Sequence, residues 1–92
     1  MNEQYLDVID EQWNNILKLY KKFEDKKPIM LFDMQEKRIY AYPYEDFKAD
    51  LSKKSQTILQ KQYKNALLDN KVVVFVRDNE QETLVSSSYN LE

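Results

Sequence analysis

Lys71-Val72-Val73-Val74-Phe75-Val76-Arg77 is the stretch on which the fold of this chain turns. Its β-branched and aromatic run favours an extended backbone and leaves no polar face. A strand of that kind is covered on both sides, so it reads as a central strand and not as an edge. Asp69-Asn70 stop the segment before it, asparagine tolerating the left-handed conformation where glycine would otherwise serve. After it, Asp78-Asn79-Glu80-Gln81-Glu82 read as a turn, and Thr83-Leu84-Val85-Ser86-Ser87-Ser88-Tyr89 as the last strand.

A second hairpin lies upstream. Pro28 opens an extended run, Ile29-Met30-Leu31-Phe32, and the polar turn Asp33-Met34-Gln35-Glu36-Lys37 leads into Arg38-Ile39-Tyr40-Ala41-Tyr42. The chain contains no glycine. Neither hairpin is therefore expected to close through a two-residue type I′ turn; loops of about four or five residues fit better.

Helical periodicity fills the remainder. Over residues 3 to 24, Leu6, Ile9, Trp13, Ile16, Leu17, Tyr20 and Phe23 recur at spacings of three and four. Pro43 ends the first hairpin and starts a second helical region that runs to about Leu68, with a break expected near Leu51-Ser52 and Asp50 or Ser52 as cap. The order helix, strand, strand thus occurs twice. It predicts an α+β domain in which two αββ units form a four-stranded antiparallel sheet with two helices packed on it. A shift of 45 residues aligns the hairpins, Asp33 with Asp78 and Ile39 with Leu84, as an internal pseudo-repeat.

Alternation sorts the strands into two faces. Across a four-residue loop, Ile29, Leu31, Tyr40 and Tyr42 share one face of the first hairpin, and Met30, Phe32, Ile39 and Ala41 share the other. In the second hairpin Val72, Val74, Val76 and Val85 oppose Val73, Phe75, Leu84 and Arg77. Both faces are apolar, and two helices on one side cover only one. The second face needs a crossing helix, a second subunit or a ligand.

Composition excludes much chemistry. The 92 residues include no glycine, histidine or cysteine. Glycine-rich phosphate loops, thiol nucleophiles and imidazole acid–base catalysis are therefore absent. No spacing of acids suggests a metal site or a carboxylate pair: Asp78, Glu80 and Glu82 lack the glycine and distal glutamate of a calcium loop. The expectation is a non-enzymatic protein without cofactor or metal. A formal charge of -2 argues against nucleic acid. No apolar run spans a membrane and no export signal is read, so the cytoplasm is the expected compartment. The chain reads as one domain over residues 1–92, with Leu91-Glu92 taken as a cloning remnant. Lys18, Lys21, Lys22, Lys26 and Lys27 crowd the end of the first helix, opposite the acids at its start, as a helix dipole favours.

Two surfaces stand out. The leading expectation is a protein–protein interaction or regulatory module, or a homodimer, that uses the sheet face away from the helices. Met30, Phe32, Ile39, Phe75 and Leu84 would supply its apolar area, with Arg77 at the rim. The alternative is a small-ligand or nucleic-acid binding module built on Arg38, Tyr40, Tyr42 and Arg77. Sheet tyrosines can stack bases or rings. The two arginines can form one anion site only if the hairpin tips lie together.

Overall fold

The computed structural model describes residues 2–79 and 81–91, with side chains described outside 2–4 and 81–89. Its elements are α1 (Asn2–Lys22), β1 (Ile29–Asp33), β2 (Arg38–Tyr42), α2 (Tyr44–Ala49), α3 (Lys53–Leu68), β3 (Lys71–Asp78) and β4 (Gln81–Asn90). The expected break in the second helical region falls at Ser52, whose Oγ accepts the Ser55 N–H at 3.2 Å and caps α3.

The all-antiparallel expectation is corrected. The sheet is mixed: β1 pairs antiparallel with β2 on one side and parallel with β3 on the other, giving β2-β1-β3, and β4 extends it beyond β3. The described residues form three α-helices, and these lie on both faces of the sheet. Alternation along a strand assigns faces but not neighbours, so the sequence pattern left the direction of the β1–β3 pair open.

Each face has its own core. Ile9, Ile16 and Tyr20 of α1 bury Met30, Val72, Val74 and Val76, with Ile39 and Ala41 packed against them. On the opposite face Phe47 of α2 and Leu59 and Ala66 of α3 bury Ile29, Leu31, Val73 and Phe75. Val72 to Val76 are buried throughout, as a central strand requires. Leu91, expected outside the fold, is buried in the α1-side core, and its N–H reaches the Asn70 carbonyl at 3.4 Å.

The turns differ from expectation in one place. Asp33 pairs with Arg38 across the four-residue loop 34–37, but Asp78 pairs with Gln81 across two residues. Asn79 makes that tight turn feasible at φ 54°, a conformation asparagine tolerates. Lys27, Lys37 and Asn70 fill three further left-handed positions. Because the loops differ in length, the 45-residue shift matches the strands entering the turns but not equivalent positions beyond them.

Candidate functional site

The parallel pairing of β1 and β3 brings both hairpin tips to one end of the sheet. One cross-strand row there runs Arg38–Asp33–Arg77, because Asp33 is opposite Arg38 in one direction and Arg77 in the other. The next row holds Tyr40, Leu31 and Phe75, and the one below begins with Tyr42 and Ile29. Arg38, Tyr40, Tyr42 and Arg77 therefore occupy one face, on the side of α2 and α3.

Asp33 organises this end. It is 5% exposed, and a buried carboxylate needs compensation by donors or a cation. Oδ1 accepts the backbone N–H groups of Gln35 and Glu36, each at 2.9 Å. Oδ2 faces Arg77 Nη1 at 3.6 Å. The anion between the two arginines is thus the protein's own aspartate, and its charge offsets that of Arg77.

The tips are also tied to each other. Gln35 Nε2 donates to Asp78 Oδ1 and Asn79 Oδ1, both at 3.1 Å, and the Asn79 N–H donates back to Gln35 Oε1. The Met34 N–H continues the parallel ladder to the Arg77 carbonyl. From the α1 side, the Tyr5 hydroxyl donates to Asp78 Oδ2 at 3.1 Å. That bond raises the Tyr5 pKa, because ionising the phenol would remove the donor and face the carboxylate with a like charge.

The tyrosines form an aromatic path. Tyr40 and Tyr42 stack at 5.9 Å, Tyr42 meets Phe47 at 5.6 Å, and Phe47 meets Phe75 at 4.8 Å. The Arg38 guanidinium lies 5.4 Å over the Tyr40 ring, and the Tyr40 hydroxyl donates to Glu36. That hydrogen bond is the main reason the Tyr40 pKa is raised. Arg38 and Tyr40 are thus engaged on the edge strand, whereas Tyr42 turns under α2.

Two clefts meet at Arg77. One of about 360 Å³ is lined by Asp33, Gln35, Glu36, Arg77 and Asn79. The other, of about 260 Å³, lies between α2 and the sheet and is lined by Tyr42, Asp46, Phe47, Asp50 and Arg77. A smaller apolar cleft of about 210 Å³ sits at the opposite end, beside Phe23, Pro28 and Pro43.

The residues expected to form an open apolar face are separated. Met30, Phe32 and Ile39 lie on the α1 side, with Met30 and Phe32 buried. Phe75 is buried on the other side beneath α2, and Arg77 lies beyond it at the tip end. Leu84 is opposite Phe75 in the backbone register, and its side chain lies outside the described residues. Sequence reading passed over Asp46, Phe47, Asp50, Gln35 and Asn79 as site residues. The available signal is weak: Asp46 and Asp50 are like charges four apart, but acids near a helix start are favoured in any case. Among the described residues, no group of three or more acids could hold a metal ion, and no helix is long and apolar enough to cross a membrane.

Comparison with protein families, with curated proteins and with solved structures finds no match.

Proposed function

We propose that this chain is a non-enzymatic binding module that takes a small polar ligand at the Arg77 end of the sheet. The supporting observation is the placement of Arg77 beside both polar clefts, in a row anchored by buried Asp33. Pockets of this kind combine an apolar wall with a few polar groups set by rigid elements. Here the wall is Tyr42 and Phe47, and the rigid elements are β1 and β3 at their carboxyl ends. A nucleic-acid platform fits less well. Tyr40 and Tyr42 are half-buried rather than presented on an open sheet, and the formal charge is -2. Met30 and Phe32 are buried beneath α1, so they offer little surface for protein contact.

The test is amide chemical-shift mapping with a panel of small anionic, cationic and neutral fragments. Binding should move resonances of residues 33–36, 42–50 and 77–79. Arg77→Lys, which keeps the charge but loses the planar fork, should weaken it. Shifts confined to α1 or to the Phe23 cleft, or none at all, would overturn the reading.

A further inference from the structure

The geometry points to a ligand with a cationic head and an apolar body in the cleft between α2 and the sheet; this rests on the binding-module reading above. Three features of that cleft converge. Its wall is aromatic: Tyr42 and Phe47 lie 5.6 Å apart with their planes at 43°, and Phe75 backs Phe47 at 4.8 Å. Aromatic faces attract ammonium and guanidinium groups as well as apolar bodies.

The charge balance also favours a cation. The cleft carries two carboxylates, Asp46 and Asp50, against one guanidinium. Asp33 sits on Arg77 from the other side, with its carboxylate at 3.6 Å and its side chain only 8% exposed. That pairing offsets the Arg77 charge and leaves the α2 carboxylates as the surplus. An incoming anion would meet them at close range, whereas a cation would be drawn toward them.

Finally, Asp50 does not serve its own helix. Asp46 and Asp50 are one turn apart on α2, and Asp50 is its C-cap. Asp46 lies in the first turn, where an acid suits the helix dipole, whereas Asp50 at the C-terminal end opposes it and repels Asp46 at that spacing. Both residues are exposed and line the cleft, where a bound cation would relieve the repulsion.

Titration with benzylamine, and with benzoate as its charge-reversed counterpart, tests the inference by amide shift mapping. Benzylamine should give saturable shifts at residues 42–50 and 77, weakened by added salt. The double variant Asp46→Asn/Asp50→Asn should bind it about tenfold less tightly, the size expected for losing charge-assisted contacts. An unchanged thermal midpoint would show that this loss does not come from unfolding. If benzoate binds the same residues and benzylamine does not, the cationic class is overturned while the binding-module reading stands. If fragments of the wider panel map to the cleft but benzylamine does not, the class is again overturned. If nothing in either experiment maps to the cleft, both fall.

Discussion

The two faces of the sheet are covered in different ways. On one, the long helix α1 lies over aliphatic residues, and Met30, Val74 and Val76 are sealed from solvent. On the other, six-residue α2 and α3 share the cover over a face rich in rings. Aliphatic side chains pack closely under one continuous helix. Flat rings beneath a short helix leave a cleft at its end, where Arg77 and Asp50 are found. The contrast teaches that a closed face supplies stability and a divided one leaves room for a ligand.

The sharpest way to break this comparison is to empty one position on each side. Ile16→Ala beneath α1 and Phe47→Ala beneath α2 should each destabilise the fold by about 3 kcal/mol in denaturant titration. They should part in their local effects. Phe47→Ala should increase amide exchange across residues 44–50 and abolish fragment binding, whereas Ile16→Ala should leave the cleft resonances in place.

Asp33 comes next in size. Asp33→Ala strips the acceptor from two backbone N–H groups and removes one ion-pair contact of Arg77, for a loss of about 2–3 kcal/mol. Asp33→Asn keeps an acceptor for the turn and should lose less. Equal losses from the two variants would mean that the ion pair, not the turn, holds the tips.

Alkaline pH probes a property common to both faces. Burial is the first cause that raises the hydroxyl pKa of Tyr20, under α1, and of Tyr63, on α3, above the ordinary 10.0. A raised phenol pKa means the folded chain keeps protons that the unfolded chain has released. The contribution is full below pH 10.0 and is lost as pH rises through the shifted values. Phenolate absorbance should therefore rise later in the folded protein, and the denaturation midpoint should fall above that pH.

The smallest effect concerns the turns. Lys37 holds φ 57° at the end of the first loop, and Lys37→Gly should gain about 0.5–1 kcal/mol by removing the Cβ clash. A loss instead would mean that the lysine side chain holds the loop through contacts of its own.

Much of this arrangement was legible in residue order. Pro28 and Pro43 bracket the first hairpin, and alternation assigns Tyr40 and Tyr42 to one face and Ile39 and Ala41 to the other. The valine run is central, and the helical break falls at a residue named for it, Ser52. The parallel pairing was not legible, because Met30 and Val74 meet in a long-range strand ladder whose direction alternation does not encode. The tight second turn is not legible in a chain without glycine, where longer loops are expected, yet Asn79 adopts a left-handed conformation there. The site depends on both. Without parallel strands, Arg77 and Asp33 have no reason to meet, and Asp46 and Asp50 look like ordinary helix-surface acids.

The parallel contact also governs how the chain can assemble. β2, α2 and α3 lie between Met30 and Val74 in the chain, so the central pair closes a long loop. The first hairpin is local and quick to pair, yet one long edge of β1 stays unpaired until β3 arrives. Folding speed should then follow the slow search for that distant partner more than the rate of making either hairpin. During synthesis, the N-terminal half remains an incomplete sheet with an open edge until residues 71–78 are available.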